Sequence, residues 1–140
     1  MISVTPGMEL VMMLSSVQSH LIKKVERQLS IHGISYTELM VMYQLNSAPN
    51  RTMQRIVLAE NIGLSASGVT RLINPMEKRH IVEKESNPRD ARVSLVRLSD
   101  TGQKLFYDAL KSFQQSSDAL SKNMDSKQIE TLLELIGLLD

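Results

Sequence analysis

The sequence predicts a mainly α fold carrying one small β-hairpin, and three observations predict it. Apolar residues recur at spacings of three and four over most of the chain, the period of amphipathic helices. Short Gly- and Pro-containing breaks divide these runs into pieces of helix length. Only residues 81–98 depart from the helical period, with two Ile/Val-containing runs on either side of an Asn-Pro turn.

Taken in order, Thr5-Pro6 is an N-cap followed by proline at the first helical position. Leu10, Leu14, Val17, Leu21, Val25 and Leu29 then mark a long helix, widened by Met12, Met13 and Ile22 and ended by His32-Gly33. Ser35 and Glu38 form a capping box that opens a second helix through Leu45. Residues 47–50 are a loop, and Thr52 is expected to cap a short third helix running to Asn61. Gly63 stands where a left-handed residue ends that helix, and Ser65 caps the next. Val69, Leu72, Ile73 and Met76 give the fourth helix an apolar face, so the pair is a helix-turn-helix. The strand candidates are IVEKE (81–85) and VSLVRL (93–98), with SNPRDAR (86–92) as the hairpin tip. Helix returns after Asp100-Thr101 with Leu105, Phe106, Ala109, Leu110, Phe113 and Leu120. Asp125 and Gln128 form a further capping box before seven large aliphatics within eleven residues, Ile129 to Leu139. That density exceeds what a chain-end helix buries in a monomer and predicts an interface between copies.

A chain of 140 residues suits one domain with a real core. The absence of cysteine excludes disulfides, thiol redox sensing, cysteine nucleophiles and cysteine-ligated metal centres. His20, His32 and His80 are isolated, and neither a phosphate-binding Gly-rich loop nor a nucleophile elbow is present. No enzyme, cofactor or metal site is therefore expected. No apolar run reaches membrane-spanning length and no basic leader precedes the first helix, so a cytoplasmic protein without a membrane partner is expected. Net charge is only +1, but its distribution is uneven. Residues 51–104 hold ten Lys/Arg against six Asp/Glu, a net +4, and the remainder carries −3. A basic middle between mildly acidic ends points to a polyanionic partner.

The face of the fourth helix opposite its apolar residues presents Ser67, Thr70, Arg71, Asn74 and Lys78. Hydroxyls, an amide and two cations are the groups that reach phosphates and base edges in a major groove. Ser65 and the free amides of Ala66 and Ser67 add an anion site at the helix N-terminus. The bland alternative is a solvated helix face. The turn before it and the basic hairpin after it favour the nucleic-acid reading.

The stretch LSASGVTRLINPMEKRHIVEKESNPRDARVSLVRLSDTG resembles the core of the MarR family of winged-helix transcription regulators. The agreement lies in Leu64-Ser65, Val69-Thr70-Arg71-Leu72, Glu77-Lys78-Arg79, Asp90-x-Arg92, Val96-x-Leu98-Ser99 and Gly102. The resemblance implies that the hairpin is a wing whose Arg92 enters or borders the minor groove. It gives Asp90 a structural role and makes Arg89 a phosphate contact, with Arg97 and Lys84 as lesser ones. It implies one MarR-like domain: a DNA-reading lobe over 35–98 and dimerisation helices over 5–32 and 101–140. The implied function is a homodimeric, sequence-specific regulator of double-stranded DNA, a repressor on an inverted repeat, released by a small aromatic or anionic effector. No motif fixes the effector residues; His20, Arg27, Tyr36 and Tyr43 stand near the junction of the two layers. A protein–protein interaction module on the same scaffold, with DNA binding lost, is the alternative. Two departures from the pattern are Pro75 inside the recognition helix, which predicts a kink or a shortened helix, and His80 where the family usually has glycine.

Overall fold

All but one of the predicted helix starts are built from the side-chain chemistry at the cap. The computed structural model describes all residues, 1–140, and its elements are α1 (Pro6–Leu29), α2 (Tyr36–Ser47), β1 (Thr52–Gln54), α3 (Arg55–Ile62), α4 (Ala66–Lys78), β2 (Val82–Asn87), β3 (Asp90–Leu98), α5 (Asp100–Leu120) and α6 (Ser126–Gly137). Thr5 Oγ1 accepts the Met8 amide at 3.2 Å at the head of α1. The Ser35–Glu38 box closes in both directions, at 2.9 and 3.1 Å. The Asp125–Gln128 box does the same, at 2.9 and 2.8 Å. Each satisfies amides that a helix leaves without internal partners.

The third helix does not start at Thr52. Residues Thr52–Gln54 instead form β1, antiparallel to β3 with Thr52 opposite Arg97 and Gln54 opposite Leu95. The sheet is three-stranded in the order β1-β3-β2, so β3 is central. A three-residue strand has no periodicity of its own. It forms because the C-terminal half of β3 would otherwise present an unpaired edge. Helix α3 then begins at Arg55 with Gln54 as its cap and no side-chain cap bond.

SNPRDAR is also less of a loop than expected. Strand β2 runs on through Asn87 and β3 begins at Asp90, leaving only Pro88-Arg89 outside the two strands. Pairing proceeds regularly from Val82–Leu98 to Ser86–Ser94 and then jumps to Asn87–Asp90. Ala91, Arg92 and Val93 thus form a bulge on β3, a device that re-aims side chains near a strand end.

The core gathers the end of α1 (Val25, Leu29), α2 (Leu39, Met42, Leu45), Leu58 of α3, Ile73 and Met76 of α4, Val96 and Leu98 of β3, and Phe106 of α5. Leu72, expected to face inward with them, is only half-buried at the edge of this cluster. Pro75 does not shorten the fourth helix: α4 continues to Lys78, with Pro75 on its exposed side. His80 has φ +60°, the left-handed conformation that explains why glycine is favoured there.

The two ends of the chain contrast with this core. Large apolar side chains on α1, including Val11 and Met13, are about two-thirds exposed (66 % and 64 %). In α6 only Ile129 is half-buried, while Leu132, Leu133, Leu135 and Ile136 are exposed. No single helix is long and apolar enough to cross a membrane.

Candidate nucleic-acid interface

Helix α3 ends where Gly63 takes φ +70° and its amide turns back to the Ala59 and Glu60 carbonyls. Two residues later Ser65 Oγ accepts the Gly68 amide at 3.1 Å and starts α4. The axes of α3 and α4 diverge by 106°, the geometry of a helix-turn-helix. Val69, Ile73 and Met76 anchor α4 in the core, so Ser67, Arg71 and Lys78 are exposed and Thr70 and Asn74 half-buried. Ser65 spends its hydroxyl on the cap, while Ala66 and Ser67 stand in the first turn of α4. The sequence therefore placed this face correctly, but the structure shows two of its residues already engaged. Thr70 Oγ1 donates to the Ala66 carbonyl at 3.1 Å and accepts from Arg55 Nη1 at 3.0 Å. Asn74 Oδ1 accepts from Lys84 Nζ at 2.7 Å.

The wing meets the helix through that last bond. Lys84 lies on β2 and also faces Glu77 Oε1 at 3.6 Å, so the hairpin and α4 are clamped together. A groove of about 540 Å³ runs between α3 and the wing, with Arg55, Ala59 and Glu60 of α3 on one wall, Arg92 and Ser94 of β3 on the other, and Ala66 at the start of α4 beside them. At the wing tip, Asp90 accepts the Arg92 backbone amide at 3.0 Å and its Nε and Nη2 at 3.1 and 3.3 Å. These Arg92 bonds hold the Asp90 carboxyl below the usual carboxylate range. Arg92 itself is 91 % exposed, so the pairing orients the guanidinium without hiding it. Arg89 is exposed at the turn, its amide bonded to Asn87 Oδ1 at 2.9 Å.

Composition alone treated the ten cations of residues 51–104 alike, and the fold divides them. Arg51 is a brace, bonded to Asp100 Oδ1 at 2.6 Å and Gln103 Oε1 at 3.0 Å. Its charge lowers the Asp100 pKa, mainly through that hydrogen bond. Arg79 joins Glu38 and the Gly33 carbonyl. Arg97 pairs with Glu83 at 3.3 Å and Lys84 with Glu77, which makes both less available as phosphate contacts than the sequence suggested. Arg71, Lys78, Arg89 and Lys104 are in no ion pair. Arg55 escaped sequence reasoning altogether. It lies under α4, its Nε buried without a partner, and only the pairing of two helices reveals that role.

The four effector candidates do not converge. Tyr36 lines an apolar cleft of about 450 Å³ between α1, α5 and α6, with Val17, Leu21, Val25, Phe113 and Ile129. Its ring lies 5.9 Å from that of Phe113. Arg27 lines a different, polar groove with Lys24, Gln28, Gln115 and Ser116. Tyr43 packs its ring 6.4 Å from Phe106 with half its surface exposed, and His20 is exposed on α1. Helical spacing brought them near one junction in sequence; the phase of each helix turns them to different sides.

Residues 32–93 match the MarR family. The chain is 23 % identical over 117 residues to the uncharacterised HTH-type transcriptional regulator YhbI of Bacillus subtilis, covering 84 % of this chain and 75 % of that protein. It is 28 % identical over 94 residues to the transcriptional repressor MprA of Escherichia coli, covering 67 % of this chain and 53 % of MprA. In fold it is similar to a cysteine-to-serine variant of Escherichia coli MarR complexed with operator DNA, with a TM-score of 0.87, 20 % identity and coverage of 94 % and 93 %. A MarR family regulator from Streptomyces coelicolor in complex with DNA superposes with a TM-score of 0.89 at 20 % identity, over 99 % of this chain and 89 % of that one.

Proposed function

We propose that this chain, whose residues 32–93 match the MarR family, is a homodimeric, sequence-specific repressor that binds an inverted-repeat operator in double-stranded DNA. The observation that carries this reading is the Lys84–Asn74 clamp, which joins the wing to α4 beside the exposed Arg71, Lys78, Arg89 and Arg92. A helix with free donors next to a basic wing matches a major groove flanked by a minor groove. Residues 35–98 form the reading lobe on this proposal. The terminal helices, 5–32 and 101–140, supply the dimer layer, supported by the uncovered apolar faces of α1 and α6.

An effector fits the cleft beside Tyr36. Its lining holds no charged side chain, so an uncharged aromatic molecule suits it better than an anion, whose burial there would be uncompensated. Binding at a cleft shared by α1, α5 and α6 would shift the spacing of the two reading lobes, with a coupling of about 1–3 kcal/mol.

The test is a binding selection on random duplex DNA at several salt concentrations. The expected product is an inverted repeat with half-sites spaced by about one helical turn, roughly 10 base pairs, or a multiple of it. A chain that retains no duplex at low salt, or protects an asymmetric site as a single protomer, contradicts the proposal.

A further inference from the structure

The hydrogen bonds around α4 leave most of its outward polar groups with donors only. We propose that the protein therefore rejects adenine, and selects guanine or thymine, at the base Asn74 reaches. This rests on the DNA-binding reading above and adds to it a specificity set by the wing.

A free asparagine side chain pairs with adenine in a bidentate way, its amide oxygen accepting from N6 and its nitrogen donating to N7. Here Lys84 Nζ lies 2.7 Å from Asn74 Oδ1. An ammonium can only donate, so the atom facing it is the amide oxygen and Nδ2 is turned away. The lysine is held in turn by Glu77 at 3.6 Å. Its charge-assisted bond is stronger than one from a neutral base amine, so adenine N6 does not readily displace it. Asn74 is left with donors alone.

Its charged neighbours share this polarity. The Thr70 hydroxyl is the exception: it gives its hydrogen to the Ala66 carbonyl and accepts from Arg55, so it has no donor left and keeps one lone pair beside its methyl. Arg71 and Lys78 carry donors only and are in no ion pair. Ser67 is the hydroxyl on this face that can act either way, sharing a hydrogen with Ser65 at 3.2 Å. Guanine offers two acceptors in the major groove and thymine offers O4, whereas cytosine offers a donor and adenine pairs one donor with one acceptor.

The experiment compares base preferences by random-duplex selection and by titration on the resulting site. The position read by Asn74 is the one whose preference disappears in Asn74→Ala. The parent protein should disfavour adenine there by about 5–10-fold relative to guanine or thymine. Lys84→Met should free the amide and bring adenine within about twofold of guanine, while Lys84→Arg keeps the parent preference. Asn74→Asp, which can only accept, should turn the preference towards cytosine. Circular dichroism confirms that each variant folds. A parent preference for adenine at that position overturns the proposal. So does a Lys84→Met variant that loses affinity evenly for all four bases, since Lys84 would then be a phosphate contact. Failure of the folded parent to bind any duplex overturns the proposed function itself, and this inference with it.

Discussion

Gly102 is the glycine with the least room to change. A Cβ there would stand 2.1 Å from the Ile81 carbonyl oxygen and 2.8 Å from Leu98 Cδ1. Backbone on the far side cannot yield as a flexible side chain does. Gly102→Ala should therefore destabilise the protein by about 2 kcal/mol or more, read as a lower midpoint in urea. The neighbouring Ser99, 5 % exposed, caps α5 through the Gly102 amide and donates to the carbonyls of His80 and Ile81. This knot fixes the base of the wing against α5. At the wing tip, each side chain predicts a different effect on DNA. Arg92→Ala should lose about 1–3 kcal/mol of operator affinity and flatten any preference for A·T-rich flanks, because groove width sets the local potential. Arg89→Ala should weaken all duplexes alike and lower the salt slope by about one. Asp90→Ala should behave as a milder Arg92 change, since it releases the guanidinium without removing it; titrations on operator and scrambled DNA distinguish the three. Acid should mimic that release. The Asp90 and Asp100 pKa values are lowered in the fold, by Arg92 at the wing tip and by Arg51 at the head of α5, so their ionised contacts favour the folded state above the unfolded carboxylate value, about 3.9. That contribution disappears as pH falls through the lowered values. Asp100→Asn should accordingly reduce the loss of stability as pH falls below the unfolded carboxylate value, measured by thermal melts at successively lower pH.

At the scale of the elements, α4 and its turn balance two unusual backbone positions. Gly63 holds φ +70° with nothing within 4 Å of a built Cβ, so Gly63→Ala tests conformational strain alone and should cost about 1 kcal/mol. Pro75 lies within α4 and cannot donate to the Arg71 carbonyl. Because its ring is exposed, Pro75→Ala leaves no cavity and should raise the melting temperature of the protein. A fall in melting temperature would mean that the proline stiffens α4 in a way the side chain's exposure does not suggest. The elements also show how far sequence carries. Four capped helix starts, at Thr5, Ser35, Ser65 and Asp125, were legible because a cap is a local bond within four residues. Strand β1 was not, because Thr52 and Met53 become a strand only when Arg97 and Val96 lie opposite them. A hydroxyl at the head of an apolar run has the same appearance whether it caps a helix or enters a ladder.

The whole molecule has a covered middle and uncovered ends. Leu133 is 64 % exposed and Leu135 57 %, on a helix that shields almost none of its apolar face within its own chain. Apolar surface of that kind is stabilised by association, so the protein should sediment as a dimer at micromolar concentration. Removing residues 125–140 should produce aggregation or unfolding; a soluble, folded monomer of the intact chain would contradict the dimer. The sequence by itself determined the helical period, the caps, the turn at Gly63-Leu64-Ser65 and the outward face of α4, because each is set by neighbours in the chain. It also placed Asp90 and Arg92 together, two residues apart. The tertiary structure decided which charges remain available. Arg51, Arg79 and Arg97 meet carboxylates from distant segments, and Lys84 meets Asn74 ten residues away across the gap between strand and helix. Charge is a property of the residue, but its availability depends on what the fold brings within about 4 Å of it.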